Sequence, residues 1–253
     1  MSLLARRAMT GIAEVPKAPW TNGDISIIKK MLDDAQAGKA VDFSDWHIGD
    51  ARPVTFHARS YNLVLAHRFT GAPASTSAAY AFNGTAKYPS WAVVCIPQGS
   101  SSQYSPSPTN KQKYFSGALY TEISHIWTYF YNTQEGKLFK PFKCVVGIEN
   151  DTSYTLTTGT YTQSVNIAAL ACKEVGVENR YNRAENAALI TFSYFYNSAA
   201  HRKIGSNNYY WLRSPAIKTA GRYYAYEVNS TNGSVDDYGV ITDRKGVVWF
   251  GCI

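Results

Sequence analysis

Tyr209-Tyr-Trp-Leu-Arg213, Tyr223-Tyr-Ala-Tyr-Glu-Val228, Asn229-Ser-Thr-Asn-Gly233 and Gly246-Val-Val-Trp-Phe-Gly-Cys-Ile253 follow one another in the carboxy-terminal part of the chain. Aromatic and β-branched residues fit the pleated surface of a sheet, and Asn and Gly supply the backbone freedom that tight turns require. The stretch therefore predicts a small antiparallel sheet with exposed polar connections. Working outward, residues 52–56, 61–66, 91–96 and 142–146 have the same β character, each bounded by Gly, Pro, Ser or Asp.

Two segments carry a helical period instead. Ile25, Ile28, Met31, Leu32 and Ala35 recur at three-to-four spacing, with Asn22 or Asp24 as N-cap and Gly38 as the stop. Lys29, Lys30, Asp33 and Asp34 form its solvated face. Leu119, Ile123, Ile126, Trp127 and Phe130 repeat the pattern within residues 116–135, with Ser116 as cap. His125 lies in that segment and reads as a hydrogen-bonded packing residue. Residues 184–199 fit helix or strand equally, and 150–164 read as loop or edge strand. The Pro/Ser-rich residues 97–112 hold too little apolar area to order themselves and predict a long surface loop. Residues 1–19, with Pro16 and Pro19, have no period and predict an extended arm ahead of one domain over 20–253. The expected class is α+β, with short antiparallel strands, two main helices and long polar loops.

A chain of 253 residues can bury a continuous core without disulfide staples. Charged residues are only 17% of it, so Tyr, Ser, Thr and Asn must cover much of the surface. The 19 tyrosines fit either a paratope-like adhesive surface or an aromatic β core. A low charge content also leaves apolar surface to cover and predicts a homo-oligomer, a trimer if the chain sits on a fibre. The formal net charge is +7, but the basic residues are dispersed, with Arg6-Arg7, Lys29-Lys30 and His201-Arg202-Lys203 among the few tight groups. No Lys/Arg stripe marks a specific nucleic-acid interface. Cys95, Cys144, Cys172 and Cys252 are far apart in apolar strings and read as buried free thiols in a protein made in a reducing cytoplasm. Met1-Ser-Leu-Leu-Ala5 is too short for a signal or a membrane span, so no membrane insertion is expected.

Catalysis would need convergent titratable groups, and the sequence has no HExxH, no phosphate-binding glycine loop and no nucleophile elbow. Gly99-Ser-Ser and Gly205-Ser-Asn lack the second glycine of such an elbow. Asp236-Asp237 is the only acidic pair in the final strands and falls short of a calcium loop. The expectation is a non-enzyme without cofactor or metal.

Tyr210-Trp211-Leu212-Arg213-Ser214-Pro215, Tyr226-Glu-Val-Asn229, Gly233-Ser-Val235, Gly246-Val247 and Phe250-Gly-Cys-Ile253 together resemble an uncharacterised family common in phages and prophages of gut bacteria. Trp20-Thr-Asn-Gly-Asp24, Ala37-Gly-Lys39 and Trp46-His-Ile-Gly-Asp50-Ala-Arg52 resemble that family's amino-terminal pattern, while residues 70–200 match weakly. The resemblance implies a C-type-lectin-like fold related to formylglycine-generating enzymes and to retroelement-diversified variable proteins. It does not carry the enzyme's chemistry, because no suitable cysteine pair is recognisable. It implies that Trp211, Arg213 and Ser214 belong to the inner framework, the indole filling core and the guanidinium satisfying buried carbonyls.

On this basis the chain is expected to be a bacteriophage virion protein that presents a host-attachment face, or alternatively a decorating or structural virion component. The face is placed on Lys218, Arg222, Tyr223, Tyr224, Tyr226, Asn229, Asn232, Asp236, Asp237 and Tyr238. In the competing reading Tyr224, Tyr226 and Val228 alternate inward and only hold the sheet. Expected partners are other virion proteins through the arm and a host cell-surface polysaccharide or protein.

Overall fold

Asp24 accepts a hydrogen bond from the Ser26 amide at 2.7 Å and caps α1 (Ile25–Gln36), which buries Ile28, Met31 and Leu32. Gly38, with φ +81°, ends it in the left-handed region that favours glycine. The computed structural model describes residues 17–70, 79–82, 87–99, 103, 114–148, 159–219, 222–241 and 243–253; the side chains of residues 116, 217–219, 222, 223 and 238 lie outside that description. Residues 1–16 of the expected arm, most of the 97–112 loop and residues 150–158 therefore lie outside the described residues. Residues 17–19 are part of the body and not of an arm: Ala18 is buried, its carbonyl accepts from Trp46 Nε1 at 2.8 Å, and Lys17 pairs with Asp42 and Asp45.

The fold is mixed, sheet-rich and broadly α+β. β1 (Ala51–Phe56) and β2 (Arg59–Arg68) form a hairpin, and β3 (Trp91–Pro97) extends it. The five-stranded sheet is completed by β11 (Trp249–Cys252), which runs antiparallel between β3 and β6 (Ile167–Ala169). β4 (Phe142–Gly147) and β5 (Thr160–Val165) make a two-stranded ribbon. A third sheet has the order β10 (Gly246–Val247), β7 (Tyr209–Thr219), β8 (Arg222–Asn229), β9 (Val235–Val240). Among the described residues only β10 pairs in parallel. α2 (Ala118–Phe130) packs Leu119, Ile123 and Phe130 inward. Its N-cap is Gly117 rather than Ser116, and it ends five residues short of the expected boundary. The ambiguous 184–199 segment divides between a short helix α3 (Arg183–Ala188), capped by Asn182, and a single 3-10 turn at Ser193–Phe195.

The amino-terminal motif is explained by packing. Trp20, Phe43, Trp46 and Trp91 form a continuous ring cluster with centroids 4.9–6.2 Å apart, and Trp20 Nε1 donates to the Leu63 carbonyl at 2.9 Å. Arg52 donates to the carbonyls of Trp20 and Gly23 and to Glu135, tying α1, β1 and the segment after α2 together.

All four cysteines are buried and free. Burial pushes the Cys144 thiol up to about 12 and the other three well above the usual range, because the interior disfavours a thiolate. The native protein is expected to leave a thiol-disulfide reagent unreacted at pH 8 while the urea-unfolded chain reacts in full. A rapidly reacting thiol in the folded protein would refute this burial.

Candidate binding face

β7 departs from its partner β8 between Trp211 and Pro215, and this irregularity re-aims Arg213 and Ser214 into the interior. The Arg213 amide bonds the Leu170 carbonyl at 2.8 Å, and Ser214 Oγ accepts from the Cys172 amide at 2.9 Å. The Arg213 guanidinium meets the Glu174 carboxylate in a two-pronged pair, 2.6 and 2.7 Å, with both side chains fully buried. It also donates to the carbonyls of Val145 and Ala169 and lies 5.4 Å from the Phe250 ring centroid. Tyr80 Oη and the Ala171 amide donate to the same carboxylate, both at 2.8 Å. The lone pairs and donors are thus spent on one another, the condition for burying such a pair. Trp211, Arg213 and Ser214 stand in the inner framework, and the guanidinium satisfies buried carbonyls as expected. Glu174 was not anticipated. A carboxylate two residues past the apolar run 168–172 needs a cation if it is buried, and that is the signal available.

Beside this frame, Glu185 accepts from Asn179 Nδ2 at 2.6 Å and from the Gly147 amide at 3.1 Å, while burial holds its carboxyl above the usual range. A second ion pair joins Lys245 to Glu227, with the Lys245 ammonium 4.5 Å from the Trp211 ring centroid and 5.2 Å from that of Tyr209. Burial raises the Glu227 carboxyl, and Lys245 opposes that shift. Gly239 makes room, since a Cβ there would sit 2.5 Å from both Trp211 and Glu227 side-chain atoms.

The residues expected to form the face divide into groups. Tyr226 and Asp237 are buried and are corrected from contact residues to scaffold: Tyr226 Oη accepts from the Arg180 amide at 2.9 Å, and Asp237 accepts from Tyr181 Oη at 3.0 Å. Both therefore tether the segment before α3. Tyr224 is half-buried and packs on the core, while Val228 is fully buried, so the inward reading of these alternate positions holds. Asn229 and Asn232 shape the β8–β9 turn: Asn229 Oδ1 accepts from the Thr231 and Asn232 amides, and Asn232 Oδ1 from the Ser234 amide. Thr231, Asn232 and Ser234 are exposed there, and Asp236 is exposed at the start of β9. Lys218, Arg222, Tyr223 and Tyr238 have backbone on β7, β8 and β9, and their side chains lie outside the description.

Gly233, with φ +76°, completes the turn, and Arg202 bonds its carbonyl at 2.7 Å and that of Val175 at 3.1 Å. The turn is therefore stapled to the body. A concavity opens between the β1–β2 turn and α2. His125 faces it and is exposed, which corrects the expectation of a packing residue.

Among the described residues no three His, Cys, Asp or Glu side chains are grouped as metal ligands, and no helix is long and apolar enough to cross a membrane. The fold and this face define a mixed α+β domain with buried ion pairs beneath an exposed polar turn. The chain belongs to the family described as a domain of unknown function (DUF6273), whose profile matches residues 107–248. That span runs from ahead of α2 to just before β11 and contains Glu174, Arg213, Glu227 and Lys245. No curated protein and no solved structure shows a significant match.

Proposed function

We propose that the chain is a non-enzymatic binding module of a bacteriophage virion, built on a C-type-lectin-like fold and presenting its β8–β9 turn to the host surface. The observation that carries this reading is the contrast between the turn and its support. Exposed Thr231, Asn232 and Ser234 stand on a turn fixed by Asn229, Gly233 and Arg202, with exposed Asp236 beside them at the start of β9. Polar groups held in one geometry lose little entropy when they bind, which is what a recognition surface requires. The titratable groups of the interior serve the frame: Glu174 is spent on Arg213, and Glu227 on Lys245. Residues 1–16 would attach the module to other virion proteins, and a trimer is the assembly suited to a fibre. Exposed Ile48, Tyr131 and Tyr196 favour a second reading, a decorating or structural subunit that packs on neighbours.

The test is competition for adsorption. Purified protein should block phage adsorption to host cells. A variant with Thr231→Ala, Asn232→Ala, Asp236→Ala, Tyr223→Ala and Tyr238→Ala should lose that block at least about tenfold, given roughly 2 kcal/mol for a hot-spot side chain. Undiminished blocking with an unchanged circular dichroism spectrum would move the reading to the decorating role. Antibody labelling of particles separates the two as well, fibre tips for adhesion and a uniform shell or tube for structure.

A further inference from the structure

We infer that the concavity between the β1–β2 turn and α2 is a saccharide-binding site that prefers sugar units carrying a carboxylate. Its lining includes no residue of the β8–β9 turn, and it stands or falls independently of the function proposed above.

The site begins with an unusual turn. β1 and β2 are joined by only His57 and Ala58, both in the left-handed region with φ of +49° and +55°, while Phe56 and Arg59 face each other across the ladder. A two-residue turn of this kind ordinarily takes Asn-Gly, because side chains with a Cβ are strained there. The strain sets His57 against the exposed ring of Tyr129, centroid to centroid 4.1 Å. Tyr129 comes from α2, one helical turn beyond His125, whose ring is 5.3 Å away. Glu122, His125 and Tyr129 recur at spacings of three and four and so share one helix face. The turn and the helix thereby build one wall with a polar rim.

The floor is aromatic. Phe56 and Tyr61 stack at 4.4 Å and 12°, and Trp249 of β11 lies 6.4 Å from Phe56. The cavity above them is about 60 Å³, a notch that admits one edge of a sugar ring rather than a whole small molecule. Arg59, exposed, and Glu122, half-buried, both line this space, and among the described residues neither forms an ion pair.

The ligand class follows from these complements. A wholly apolar ligand would desolvate Arg59 and Glu122 without giving either a partner. A pyranose ring has an apolar C–H face for the exposed Tyr129 ring and a ring of hydroxyls that donate to Glu122 and exchange bonds with the imidazoles. The guanidinium of Arg59 is a fork suited to a carboxylate. A uronic acid unit offers all three features.

The experiment follows the imidazole signals of His57 and His125 by two-dimensional NMR in the full chain. The probes are galacturonic acid, galactose and N-acetyltyrosine. Both imidazoles should shift saturably with galacturonic acid at concentrations on the order of 1–10 mM, as weak monosaccharide sites require. Galactose should bind at least about threefold more weakly. Arg59→Gln should bring galacturonic acid binding down to the level of galactose, and Tyr129→Ala should weaken both sugars about tenfold. His57→Asn with Ala58→Gly supplies the turn's preferred residues, so this variant keeps the fold and loses the shifts at His125 caused by the sugar. Absence of a saturable shift, equal binding of the two sugars, or binding of N-acetyltyrosine alone would each overturn the assignment.

Discussion

Replacing Arg213 by methionine is expected to destabilise the protein by about 3–5 kcal/mol, a large part of the roughly 5–15 kcal/mol that holds a domain folded. Methionine fills similar volume, so the loss is electrostatic. Glu174 would keep its bonds from Tyr80 and Ala171 but would remain a charge with no cation in a site from which water is excluded. The Val145 and Ala169 carbonyls would lose their donors as well. Lysine is no remedy, since an ammonium cannot span both carboxylate oxygens and both carbonyls. Urea unfolding of the single variants and of Arg213→Met with Glu174→Gln gives the coupling. The double variant should be at least about 1 kcal/mol more stable than the two single losses summed. A loss below about 1 kcal/mol for Arg213→Met would show that the pair does not organise the core.

The second large effect is expected at Gly233→Ala. A Cβ there would lie 2.0 Å from the Ala199 carbonyl oxygen and 2.9 Å from its carbon, both backbone atoms that cannot swing aside. The left-handed backbone adds about 1–2 kcal/mol and the overlap about 1–3 kcal/mol. Gly38→Ala is the internal control: its φ of +81° is similar, yet nothing lies within 4 Å of the added Cβ. It should therefore show the backbone cost alone. Urea midpoints of the two variants should differ, with Gly233→Ala the less stable, and amide exchange across residues 229–234 should quicken in that variant only. Equal losses at the two sites would mean the β8–β9 turn is not seated on Ala199.

Local pattern made the elements legible. Residues 52–56, 61–66, 91–96 and 142–146 lie within β1 to β4, because β-branched and aromatic runs between turn residues carry their own signal. The short strands β5 and β6 carry less of it, and β9, Val-Asp-Asp-Tyr-Gly-Val, hides behind two carboxylates. Strand order was not legible, since the placement of β11 between β3 and β6 depends on pairings far apart in the chain. The site was read in part. Alternation fails to separate inside from outside on β8, where Ala225, Tyr226, Glu227 and Val228 are all buried, so Tyr226 looked like a contact residue. Asp237 misled for a related reason: its hydrogen-bond partner Tyr181 is 56 residues away. His125 deceived in the other direction, since its neighbours Ile126 and Trp127 are only partly buried and leave the ring in the open.

The position of β11 also dictates when the five-stranded sheet can close during synthesis. β3 and β6 are translated earlier, and each pairs with β11 on the edge that will lie at the centre of the finished sheet. While the ribosome makes the residues between β6 and β11, those two edges offer unpaired amides and carbonyls to any neighbouring strand. Chains emerging side by side on one message therefore compete with the cis strand for the same hydrogen bonds, and slow translation across residues 170–248 lengthens that competition. Slower elongation across residues 170–248 is thus expected to lower the yield of folded protein without changing the stability of the finished molecule.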